Sequence, residues 1–139
     1  MSKRYIQTFQ QVVSLPTAPF IEGSVVRFIR EFVARRRQLR LRADRFGNLL
    51  VTYTPPARRR RRPNSPPILF AAHMDHPGFT AERMLDAGRV EARWRGWVQS
   101  RYFPDERIKF FVASTAEGGC ATSAVGRWVP AVIEKVVPF

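Results

Sequence analysis

The sequence predicts a mixed α/β chain: the amino-terminal portion of a mixed-sheet α/β domain, followed by the start of a β-rich inserted domain. Three observations predict it. Two apolar stripes with helical spacing come first, in residues 4–14 and 22–37. An unbroken apolar run, Ile68-Leu69-Phe70-Ala71, lies between Pro66-Pro67 and Pro77-Gly78 and reads as a short strand buried on both faces. From about Arg95 the texture changes to short β-like runs separated by glycine and proline. The division falls between residues 1–95, a partial α/β domain, and residues 96–139, an incomplete β-rich one.

The elements follow in order. Tyr5, Ile6, Phe9, Val12 and Val13 share one helix face, and Leu15-Pro16-Thr17-Ala18-Pro19 ends that helix. Glu22 to Arg37 is the second helix. Val25, Phe28, Ile29, Phe32 and Val33 are its apolar face, with Arg27, Arg30 and Glu31 toward water. Ser24 is its expected N-cap, and Arg35 to Arg37 suit the negative end of the helix dipole. Leu39, Leu41 and Ala43 alternate with Arg40 and Arg42, Asp44 to Asn48 form a turn, and Leu49 to Tyr53 return: a β-hairpin. A basic, proline-rich loop precedes the buried strand. A second hairpin pairs Phe79 to Met84 with Val90 to Trp94 around Asp86-Ala87-Gly88. Further strand-like runs are Ile108 to Ala113, Ala124-Val125 and Ala131 to Val137.

Both histidines fall in Ala72-His73-Met74-Asp75-His76-Pro77-Gly78-Phe79. On a strand, alternation aims His73 and Asp75 the same way. Ligand sites in open α/β sheets gather at the carboxyl ends of strands, where His73 is expected. An imidazole that binds zinc commonly gives its other N–H to a carboxylate. His73 is therefore the candidate metal ligand, Asp75 its orienting acid or a ligand itself, and His76 a neighbour of the site. Zinc, cobalt and manganese all remain open, since one His–Asp pair does not fix geometry.

Composition bounds the rest. The 139 residues suffice for a core, and 45% hydrophobic content excludes disorder of the whole chain. One cysteine, Cys120, forms no internal disulfide, which fits a reducing compartment. There is no apolar signal core and no membrane-length run, so a cytoplasmic protein without membrane contact is expected. The net charge of +13 comes mostly from arginine, densest at Arg35-Arg36-Arg37 and at Arg58, Arg59, Arg60, Arg61 and Arg62. Charge of this size promotes non-specific nucleic-acid adhesion. The alternative function is accordingly a small basic nucleic-acid-binding protein. The 58–62 run contains no aromatic residue for bases to stack on, and reads first as a solvated loop.

The collinear order of helix, helix, hairpin with Asp44-x-x-Gly47-Asn48, strand with Ala72-His73-Met74-Asp75, and Gly78-Phe79 resembles the amino-terminal part of dinuclear-zinc aminopeptidases. The nearest subgroup is the glutamyl and tetrahedral, cellulase-like or endoglucanase-like, metallopeptidases. The resemblance covers most of residues 5–100. It implies a zinc-peptidase fold for residues 1–95 and the beginning of a lid and oligomerisation insertion from about residue 96. It implies that His73 binds zinc and that Asp75 orients it. It also implies a peptide substrate cut from its amino end, and a homo-oligomeric parent. Where the family commonly has an acid, this chain has His76.

A two-metal hydrolase needs a bridging carboxylate, further ligands and a general base. The chain has eleven acidic residues, none after Glu134, and no Glu-Glu pair. Asp105-Glu106 and Glu117 read as loop. Neither Cys120 nor Ser114, Thr122 and Ser123 has the surroundings of a nucleophile. The chain is therefore expected to be a fragment that carries the first ligand motif and is inactive alone. A catalytically dead subunit assembling through its β insertion is a further reading.

Overall fold

The computed structural model describes residues 3–56, 66–114 and 126–137. Within them are two helices, α1 (Lys3–Val13) and α2 (Gly23–Ala34), and six strands. The strands are β1 (Leu39–Ala43), β2 (Leu49–Tyr53), β3 (Gly78–Met84), β4 (Val90–Arg95), β5 (Arg107–Ala113) and β6 (Gly126–Val132). A 3-10 turn, Ser100–Tyr102, leads from β4 toward β5. Each strand pairs antiparallel with its sequence neighbour, giving three two-stranded sheets: β1-β2, β3-β4 and β5-β6. The chain is thus mixed α and β, with every described ladder local.

Helix α1 has its apolar stripe, but no residue of it is buried. Helix α2 buries Val25 and Val33 and packs on β1. Its N-cap is Glu22 rather than Ser24, and Glu22 makes no side-chain capping bond. The reason lies just upstream. Phe20 takes a left-handed φ of 72°, and its N–H donates to Glu22 Oε1 at 2.8 Å. That bond draws the Glu22 side chain back into the connecting turn and starts the helix at Gly23. The helix ends at Ala34, short of Arg37, because Arg36 folds back. Its Nη1 donates to the Phe32 carbonyl at 2.6 Å, with the guanidinium 3.3 Å above the Phe32 ring. A last-turn carbonyl is thereby satisfied and the chain turns into β1.

The expected buried strand at 68–71 does not form. Residues 66–77 belong to no helix or strand, and Ile68, Leu69 and Phe70 are 81%, 77% and 91% exposed. A strand apolar on both faces needs a partner at its edges and cover above and below. Among the described residues each strand already pairs with its own hairpin mate, and none reaches this run. The last β-like run also shifts: β6 covers 126–132 rather than 131–137, and Pro130 lies within it opposite Lys109. A two-stranded sheet has only edge strands, where a proline can sit with its missing N–H directed away from the ladder. The Ala124-Val125 run lies outside the described residues.

The packed centre is aromatic. Phe79, Trp94 and Phe103 meet with ring centroids 4.8 to 5.2 Å apart. Phe79 and Trp94 face each other in the β3–β4 register, and Phe103 arrives from the 3-10 turn. Gly96 permits this packing: a Cβ there would lie 2.6 Å from Trp94 and 2.8 Å from Pro77. Two backbone bonds, Asp105 N–H to Ile133 O and Ile133 N–H to Glu106 O, tie the turn before β5 to the end of β6.

Candidate metal-ligand motif and its surroundings

His73 stands five residues before β3, on irregular backbone, rather than at the carboxyl end of a strand. What positions the segment is the linker between the helices. Thr17 Oγ1 donates to the Met74 carbonyl at 3.4 Å, and Gly78 lies against Thr17 and Ala18. Ala18 is buried, so the turn after α1 supports the backbone just beyond His73.

The His73 ring is aimed at its neighbour. Nδ1 lies 2.9 Å from the Asp75 carbonyl oxygen and 3.1 Å from Asp75 Oδ1. The carbonyl oxygen can only accept, so in this geometry Nδ1 carries the proton and donates to it, with Oδ1 as a second acceptor. In the neutral ring this leaves the lone pair on Nε2. The His73 side chain is 78% exposed, while that of Asp75 is 29% exposed. The pair therefore leaves the imidazole open to solvent and keeps its acid against the protein. His76 is exposed and has no hydrogen bond or ion pair among the described residues.

These residues fit one ligand position, an imidazole whose far nitrogen is held by a carboxylate. Among the described residues no group of three or more His, Cys, Asp or Glu side chains comes together to complete a metal site. Asp44, the acid of the Asp-x-x-Gly-Asn turn, is committed elsewhere. Its Oδ1 accepts the Phe46 and Asn48 N–H groups at 2.8 and 2.9 Å, and Oδ2 accepts the Asn48 side-chain amide at 2.8 Å. That amide, with the backbone N–H groups, holds the Asp44 carboxyl below its ordinary value. Gly47, at φ 88°, makes the left-handed turn possible. Asp105, with φ 63°, and Glu106 occupy the turn before β5. Arg58 to Arg62, Glu117, Cys120, Thr122 and Ser123 lie outside the described residues.

A cleft of about 390 Å³ opens beside the aromatic cluster, floored by Phe79, Trp94 and Phe103 and edged by Glu106 and Lys109. No motif in the sequence announces it. The only signal is the alternation that places Phe79 and Trp94 on one hairpin face; Phe103 joins from a turn that carries no periodic pattern. Among the described residues, no helix is long and apolar enough to cross a membrane. Comparison with known proteins returned no match among family models, curated proteins or solved structures.

Proposed function

We propose that this chain supplies the first metal ligand, His73, of a metal-dependent aminopeptidase, with Asp75 as the group that orients it. The observation that carries the reading is the His73 Nδ1 to Asp75 hydrogen bond, within a collinear set that also includes Asp44, Gly47, Asn48, Gly78 and Phe79. A divalent ion in such a centre polarises the scissile carbonyl and lowers the pKa of bound water. The chain's own part is narrower. Asp75 accepts the hydrogen bond from Nδ1, which fixes the tautomer and leaves the Nε2 lone pair for the ion. His76 puts a second imidazole where the resemblance leads one to expect an acid, which weakens the local field for a cation. The substrate class is peptides with free amino ends, and zinc, cobalt or manganese are the candidate ions. One ligand without a general base does not assemble the reaction, so the 139 residues by themselves are proposed to be inactive.

Zinc titration followed by imidazole ¹⁵N shifts tests this. Zinc is expected to move His73 Nε2 before either nitrogen of His76. Asp75→Asn is expected to weaken that response roughly ten-fold or more. Response at Nδ1 of His73, or an Asp75→Asn variant that binds like the parent, overturns the assignment. Metal-dependent turnover of an aminoacyl anilide by the purified chain would overturn its inactivity while leaving the ligand assignment intact.

A further inference from the structure

We propose that the β1–β2 hairpin is a binding face for single-stranded nucleic acid, built on Arg37, Arg40, Arg42, Arg45 and Phe46. It involves none of His73, Asp75 or His76, so it succeeds or fails independently of the peptidase reading. The register pairs Arg40 with Thr52 and Arg42 with Leu50, which puts both arginines on one side of the ribbon. At the rise of a β-strand their roots are about 6.7 Å apart. Arg37 precedes this row and Arg45 follows it, and all four are exposed. Among the described residues the side chains of Arg37, Arg40 and Arg42 join no ion pair or hydrogen bond.

Local acids do not neutralise this face. Between residues 35 and 56 there are six arginines and one acid, Asp44. Both Asp44 oxygens are occupied by the turn. A row of planar guanidinium forks with no acid paired to it among the described residues suits phosphodiester oxygens. At the tip, Phe46 is 75% exposed, with the Arg45 guanidinium 4.6 Å from its ring centroid. A base can stack on the remaining ring face, and stacking needs bases that are not closed in a duplex. That exposed ring beside the arginine row distinguishes the hairpin from a plain charge run. It favours single strands over duplex or an anionic lipid surface.

Fluorescence anisotropy with a labelled oligouridine and the full 139-residue chain tests the proposal. Affinity is expected to fall steeply between about 50 and about 200 mM salt. Arg40→Gln with Arg42→Gln is expected to flatten the log–log salt slope by about 1.4, at about 0.7 for each phosphate left without its arginine. Arg40→Lys with Arg42→Lys keeps the slope. Phe46→Ala is expected to weaken binding about five-fold or more with the slope unchanged. Parent-like binding by the double glutamine variant overturns the proposal, because the nucleic acid is then held elsewhere, as by Arg58 to Arg62. Equal or tighter binding of duplex, or of phosphatidylglycerol vesicles, also overturns it. Should the double variant lose its β-sheet circular dichroism, the single variants decide: each is expected to flatten the slope by about 0.7, and an unchanged slope in both refutes the assignment.

Discussion

The β1–β2 and β3–β4 hairpins use the same materials to different ends. Both are short antiparallel pairs rich in arginine, and both tips are tied by an aspartate. Asp44 accepts N–H groups from Phe46 and Asn48; Asp86 accepts those of Gly88 and Arg89, each at 2.8 Å. The flanks differ. On β3–β4 three of the four arginines are answered within the hairpin: Arg83 by Glu91 and Arg93 by Glu82, each at 2.5 Å, and Arg89 by Asp86 at 2.6 Å, while Arg95 lies over the Phe20 ring. That hairpin also carries two of the three rings of the aromatic centre. On β1–β2 Arg40 and Arg42 have no acid opposite, and among the described elements it is α2 that packs on β1. A hairpin that neutralises most of its charge and packs is scaffold. One left charged and bare is surface.

The sharpest way to break this contrast is to remove the packing of β3–β4. Phe103→Ala is expected to destabilise that hairpin by about 3 kcal/mol. Urea unfolding followed by tryptophan emission reads the loss, and hydrogen exchange of β1–β2 amides is expected to change little. Equal acceleration in both hairpins would show that they share one cooperative core.

Gly96→Ala comes next, at about 1–3 kcal/mol, because the added methyl meets Trp94 and Pro77. It acts on the same hairpin by overpacking rather than by cavity. Pro77 also adjoins His76, so the variant is expected to shift the His76 ring resonances, whereas Phe103→Ala is not.

The two tips should answer to acid alike. The Asn48 side-chain amide, aided by backbone N–H groups, lowers the Asp44 carboxyl below 3.8. The Gly88 N–H, followed by Arg89, does the same for Asp86. A carboxyl lowered by folding contributes stability above its unfolded value, which is lost as pH falls through the folded one. Exchange of the Phe46, Asn48, Gly88 and Arg89 amides is therefore expected to lose protection only below about pH 4. Asp44→Asn is expected to remove that acid dependence at its own tip alone. The smallest effect is on the flanks: Glu91→Gln is expected to lose less than about 1 kcal/mol, and high salt to erase most of it. A salt-induced loss of that kind in β1–β2 would contradict the lack of ion pairs on that ribbon among the described residues.

The helix stripes and hairpin turns written in the sequence were realised, whereas the Ser24 cap, the 131–137 strand bounds and the central strand were not. The stripe Val25, Phe28, Ile29, Phe32 and Val33 marks α2 because helix periodicity is written within a dozen residues. Asp44-x-x-Gly47-Asn48 marks its turn because every bond in it spans at most four residues. Ile68 to Ala71 carries the composition of a central strand, but a strand is made by neighbours, and the described residues provide none. The Ser24 cap failed for a related reason: the left-handed Phe20 that redirects Glu22 leaves no mark in residue type. At the candidate site, two-residue spacing brought the His73 ring to Asp75 even without the strand from which that alignment was expected. The aromatic meeting of Phe79, Trp94 and Phe103 was legible only in its hairpin half.

The bare Ile68-Leu69-Phe70 stretch has a consequence for handling the protein. A short uncharged run of this kind is a nucleus for cross-β stacking. Its sequence neighbours oppose that fate: prolines at 66, 67 and 77 break the ladder, and five consecutive arginines just upstream repel a second molecule. Such gatekeeping is electrostatic and weakens with ionic strength. The chain is thus expected to stay dispersed in dilute buffer and to precipitate, with thioflavin-positive material, as salt is raised.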